Sequence, residues 1–197
     1  MFKKIIICIV LMVMTPYYVS ADIKEQQEEY LDFVQYYYIF LGIFPSGEKT
    51  TKKLVEGIYP KVIKEYKTFI KNRPDSFLAD EAKLRIAELY NLSGNTDKIS
   101  AELLKPTKQK IHFNKNWRQN ANFWLLDIVK NHPKSKHFSL RPIGQTEEDT
   151  ASFALFFLGL WNKDISYWEK LLSEYPQSKS AKDLGKILKT LEHKKRK

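Results

Sequence analysis

The sequence predicts an all-α protein in which antiparallel helix pairs stack side by side as a short α-solenoid. Three observations carry that prediction. Apolar residues recur at three- and four-residue spacing along most of the chain. Glycine (7) and proline (8) are too sparse for a sheet-rich fold built on many tight turns. One phrase, a helix ended by Pro-x-Ser, is written three times, as YKTFIKNRPDS, LLDIVKNHPKS and WEKLLSEYPQS.

The chain opens with Lys3 and Lys4, an apolar run over residues 5–14, and Val19, Ser20 and Ala21 in the pattern a signal peptidase reads. The run is too short for the roughly 20 residues a spanning helix needs, so residues 1–21 read as a secretory signal peptide. Ile7 precedes Cys8 and the apolar run continues beyond it, so no lipid-attachment pattern surrounds this cysteine. It leaves with the peptide, and the mature chain has neither disulfide nor thiolate. Export without cystines suits a bacterial periplasm. Residues 22–197 are long enough for one domain with a sizeable core. Two lysines are lost with the peptide, so the mature charge is 31 − 23 = +8.

Taken in order, Tyr30, Phe33, Val34, Tyr37 and Leu41 mark the face of a first helix, broken by Pro45 and Gly47. A second helix carries Val55, Tyr59, Val62, Ile63, Tyr66, Phe69 and Ile70, and Pro60 either kinks it or starts it. A third aligns Leu84, Ala87 and Tyr90, with Gly94 at its C-terminal cap. TDKISAELLK predicts a short helix stopped by Pro106. Trp117, Ala121, Trp124, Leu125 and Ile128 mark another. KSKHFSLRPIGQ reads as a long loop. TEEDTASFALFFLGLWN reads as a helix with Glu147, Glu148 and Asp149 in its first turn, where acids suit the dipole. ISYWEKLLSEYP and a last helix follow, the latter with Ser180 and Asp183 at capping-box spacing.

The repeated phrase has a mechanism. Eight residues before each proline stands Tyr66, Leu125 or Trp168, and five before stands Phe69, Ile128 or Leu171. Three apart on a helix, these pairs share one face and pack inward. Pro74, Pro133 and Pro176 stop the helix, and Ser76, Ser135 and Ser178 can accept from the next helix's free N–H groups.

These residues resemble the second half of a tetratricopeptide repeat. WEKLLSEYPQSKSA and YKTFIKNRPDSFLADEA are similar to the periplasmic subgroup of BamD-like outer-membrane assembly lipoproteins, with Ala79, Ala82 and Ala181 at the matching junction positions. AKLRIAELYNLSGN resembles a first repeat helix, with Ala87 at the small position and Tyr90 three on; Gly159 resembles another such small position. The prolines are 133 − 74 = 59 and 176 − 133 = 43 residues apart, against the 34-residue repeat. The lipobox cysteine is missing. The resemblance implies a non-enzymatic scaffold whose groove holds an extended segment or helix of another envelope protein. It implies Glu81, Glu88, Asn91, Phe153 and Phe156 as groove residues.

Catalytic and metal signatures are sparse. His112, His132, His137 and His193 have no carboxylate at ligand spacing, and no HExxH, P-loop, G-x-S-x-G or dinucleotide fingerprint occurs. No enzyme activity, metal, small-molecule cofactor or nucleic-acid partner is expected. Aromatics at 36–38, 153, 156 and 157 fit helix cores, with any outward ones marking a binding patch. The basic run at 193–197 suits a solvated helix end. It equally suits an anionic membrane or cell-wall surface, the second reading of the chain's role.

Overall fold

The computed structural model describes residues 29–30, 32–36, 48–95, 111–140 and 143–195. The chain divides into two compact units between Asp32 and Phe33. Of the first, residues 29, 30 and 32 are described and are helical. The second, Phe33–Lys197, contains everything below. The expected signal peptide with Cys8, the turn expected at Pro45 and Gly47, and the helix expected before Pro106 fall outside the described residues. So do residues 196–197 of the basic tail, whose helix runs to Lys195.

The architecture is all-α, with packed helix pairs. After a helical stretch at 33–36 come α1 (Glu48–Lys53), α2 (Tyr59–Asn72), α3 (Ala79–Gly94), α4 (Trp117–Asn131), α5 (Thr150–Asn162), α6 (Ile165–Glu174) and α7 (Lys179–Lys195). A π turn over Leu54–Ile58 joins α1 to α2. Pro60 then sits in the first turn of α2 directly after that π turn, and since Ile58 and Tyr59 are in the right-handed helical region the chain stays helical through it. Each helix packs on the next from α2 to α7. Alternate helices also meet, with α3 touching α5 and α5 touching α7.

The three Pro-x-Ser junctions have one geometry. Arg73, His132 and Tyr175 leave the helical region at φ −138°, −134° and −130°. Their N–H groups donate to the carbonyls of Phe69, Ile128 and Leu171 at 2.9, 2.9 and 3.0 Å. The N–H groups of Ser76, Ser135 and Ser178 then donate to the carbonyls of Arg73, His132 and Tyr175 at 3.2, 3.1 and 3.0 Å, which closes each turn. Tyr66, Leu125, Ile128 and Leu171 are fully enclosed and Phe69 nearly so. Trp168 is half-buried against the core, its Nε1 donating to the Phe156 carbonyl at 3.1 Å. Ser178 Oγ accepts from the Ala181 N–H at 3.1 Å, capping α7.

Several sequence expectations are corrected. The stretch read as a loop is an antiparallel hairpin, β1 (Lys136–Leu140) with β2 (Ile143–Asp149), irregular between Lys136 and Phe138. Ser135 therefore precedes a strand; its carbonyl accepts from the Thr150 N–H at 2.7 Å and shuts the hairpin's base. Glu147, Glu148 and Asp149 end β2 and are not the first turn of α5. Asp149 pairs with Lys136 at 3.0 Å, while Glu148 accepts from the Lys179 N–H at the start of α7. Gly94 is the last residue of α3 and the cap is Asn95, not in the left-handed region; glycine is needed at 94 since a Cβ there would strike the Asn114 carbonyl and the Trp117 side chain. Asp183 pairs with Lys186 at 2.9 Å, and the cap of α7 belongs to Ser178, not Ser180.

Candidate functional site: the α3–α5 furrow

Helix α3 carries charge where a two-sided core helix would be apolar. Asp80, Glu81, Lys83 and Arg85 are all buried. Leu84 and Ala87 join the core that α4 and α5 share. Glu81, Arg85 and Glu88, four and three residues apart, form a separate stripe.

Along that stripe Arg85 Nε donates to Glu81 Oε1 at 2.8 Å, and its two terminal nitrogens reach Glu81 and Glu88. The second Glu81 oxygen faces the hairpin. It accepts from the Phe138 N–H at 3.3 Å and lies 2.8 Å from His137 Nδ1. An ionised carboxylate only accepts, so Nδ1 carries the hydrogen. The His137 ring lies against Phe153 of α5, centroids 4.3 Å apart. Phe138, 2% exposed, meets Phe33 edge-on at 5.8 Å. Strand β1 thus touches both α3 and α5 and lies over the furrow where they meet.

The two glutamates have opposite electrostatics. Burial pushes the Glu81 carboxyl up, but the Arg85 charge and the His137 contact outweigh it and hold the group below its ordinary value. Burial, with the Glu81 charge adding to it, keeps Glu88 above its ordinary value despite Arg85. A carboxylate enclosed like Glu81 stays ionised only because these donors compensate its lost hydration.

The furrow brings together Glu81, Glu88 and Phe153, through Arg85 and His137. Glu81 has no exposed surface, whereas Glu88 and Phe153 are partly open. Asn91 is buried and bonded locally, accepting from Asn95 Nδ2 at 2.7 Å. Phe156 is half-buried one turn beyond Phe153, with its ring against Phe157. Sequence reasoning passed over Arg85, although its spacing from two glutamates is a local signal. It passed over His137 as well, which meets Glu81 across 56 positions and leaves no local trace.

A second ionic group fixes α3 to α4. Lys83 donates to Asp80 at 2.9 Å and pairs with Asp127 at 2.7 Å, with His132 3.4 Å from Asp80. Burial opposes the Lys83 charge, but the bonds to Asp127 and Asp80 overturn it and raise the ammonium above its ordinary value. Elsewhere a depression of about 610 Å³ on the outside of α4 is lined by Lys115, Arg118, Leu126 and Phe123, the last 66% exposed. Among the described residues no cluster could hold a metal ion, and no helix is long and apolar enough to cross a membrane. The chain matches no protein-family model, no curated protein and no solved structure.

Proposed function

We propose that the chain is an exported, non-enzymatic scaffold of the bacterial cell envelope. In this reading tetratricopeptide-like helix pairs form a short solenoid that grips an extended segment of a partner protein in outer-membrane or envelope assembly. One observation carries the reading: α3, α5 and α7 form a row of alternate helices, α3 touching α5 and α5 touching α7, and an extended strand lies against α3 and α5. Solenoids of this kind bind on the surface their alternate helices line. The shared geometry of the three Pro-x-Ser turns supports a repeated unit. The furrow carboxylates are engaged with Arg85 and the hairpin, as positioning groups would be.

A photo-crosslinking residue placed at position 156, in cells, tests the reading. A discrete envelope protein should be captured. Glu88→Ala/Phe156→Ala should abolish capture, recorded by a crosslinker moved to position 160, while far-UV circular dichroism stays unchanged. Unchanged capture by the folded double variant would count against the furrow.

The exposed Phe123 beside Lys115 and Arg118 favours a second reading, peripheral attachment to an anionic membrane or cell-wall surface. Sedimentation with anionic vesicles separates the two. Charge-driven attachment weakens steeply with salt and with Phe123→Ser/Arg118→Ser, whereas furrow binding is insensitive to that pair.

A further inference from the structure

We infer that the hairpin is a resident occupant of the binding furrow, and that the partner displaces it with an extended segment carrying histidine followed directly by a large aromatic residue. The inference rests on the scaffold reading and names what that scaffold selects. Glu81 accepts one backbone N–H and contacts one ring nitrogen of the same strand, which is how a carboxylate holds an extended chain in register. His137 lies on Phe153, and Phe138 fills the space beside Phe33, which is itself 5.8 Å from the rings of Tyr66 and Phe69. The furrow therefore reads two consecutive side chains: a flat N–H donor and then an aromatic ring.

The chemistry of the furrow explains why an occupant is present. Uncovered, Glu81 would lose the His137 and Phe138 donors while Arg85 remained shared with Glu88. An occupant must bring a backbone N–H and a side-chain donor; any extended segment brings the first, and an acidic or purely aliphatic one lacks the second. The hairpin is suited to exchange. A single two-stranded hairpin is marginal alone, this one is irregular beside His137, and its base is closed by Thr150 N–H to Ser135 O independently of the furrow. Its departure would empty the Phe138 site beside Phe33, which the incoming aromatic would refill, and would release Glu148 from the Lys179 N–H. Because the hairpin is tethered, it competes at an effective concentration on the order of millimolar, so only a fraction of molecules is open to a free ligand.

The test uses the full chain and a fluorescent peptide with the sequence of residues 134–140, Lys-Ser-Lys-His-Phe-Ser-Leu. Replacing 136–149 by a short Gly–Ser linker should raise peptide affinity by about tenfold or more over the unaltered chain. Exchanging the peptide's histidine and phenylalanine for alanine should remove the gain. Phe138→Ala, which loosens the hairpin but keeps it, should give a smaller gain. In the unaltered chain, excess peptide should speed hydrogen exchange at the β1 amides and leave α3 protected. Equal affinity of the unaltered and linker chains overturns the inference, and so does peptide-independent exchange in β1. Those results, together with continued crosslinking at position 156, would remove the hairpin's role and leave the scaffold standing. Loss of crosslinking would remove both.

Discussion

Gly159→Ala should reverse the usual effect of that exchange. Gly159 lies inside α5 and is buried, and an alanine there gains about 1 kcal/mol of helix propensity. The structure sets two costs against it. The new methyl would overlap Cδ1 and Nε1 of the Trp168 indole and come within 2.9 Å of Cε2. Carbon contacts are favourable near 3.5–4.0 Å, so the indole must retreat by about an ångström. Overpacking of this kind costs about 1–3 kcal/mol. The retreat also breaks the 3.1 Å bond from Trp168 Nε1 to the Phe156 carbonyl, worth about 1 kcal/mol. The sum is a net loss of about 1–3 kcal/mol. Urea unfolding followed by far-UV circular dichroism measures it, and Trp168 emission should shift to the red. In a Trp168→Ala background the obstacle is gone, and the same exchange should stabilise by about 1 kcal/mol. If Gly159→Ala stabilises the unaltered chain, then α5 and α6 are not pressed together through this glycine.

Lys83→Met should cost about 3 kcal/mol or more in urea, because it leaves buried Asp80 without its ammonium partner and with only the His132 ring, 3.4 Å away. Asp80→Asn in the same chain should recover part of the loss. The furrow carboxylates give opposite pH dependences. Glu81 and Asp127 are held below ordinary values of 4.5 and 3.8, so their stabilisation is full above those values and is lost as pH falls through the depressed ones. Glu81→Gln should therefore flatten the acid limb of a stability-against-pH curve. Glu88 is raised, so it stabilises only on the acid side and loses that as pH rises through its value in the fold; Glu88→Gln should raise the melting temperature at neutral pH relative to acid pH. Ser178→Ala should cost about 1 kcal/mol through the lost cap on α7, seen as a lower urea midpoint.

Much of the fold was legible because its signals are local. The three Pro-x-Ser stops and the inward pairs before them all depend on residues within one helix and its turn. The hairpin was not legible because little in it alternates. Phe138 is the buried aromatic of β1, and Pro142 and Gly144 read as loop residues. Its acids read as a helix start, yet Asp149 and Glu148 are spent on Lys136 and on α7, partners that only the folded chain brings near. The candidate site was half legible. The stripe on α3 could be read from spacing, but that Glu81 is enclosed follows from a strand 56 residues away.

The burial of so much charge on α3 bears on what the helix is for. Fold stability alone would be served as well by apolar residues, since replacing buried ion pairs with well-packed hydrophobics is often neutral or stabilising by about 1–4 kcal/mol. Around Lys83 the charges join α3 to α4, a fixed contact between neighbouring helices. Around Glu81 they join α3 to a strand that places Phe138 in the core beside Phe33 and is closed at its base by Thr150 N–H to Ser135 O. An apolar stripe there would hold any greasy strand in any register. A carboxylate that needs one N–H and one ring donor accepts few sequences and rejects the rest through the cost of an unpaired buried charge. Replacing Glu81, Arg85 and Glu88 together by leucine, methionine and glutamine should therefore leave the chain folded with similar stability, while the furrow loses its preference for histidine followed by an aromatic.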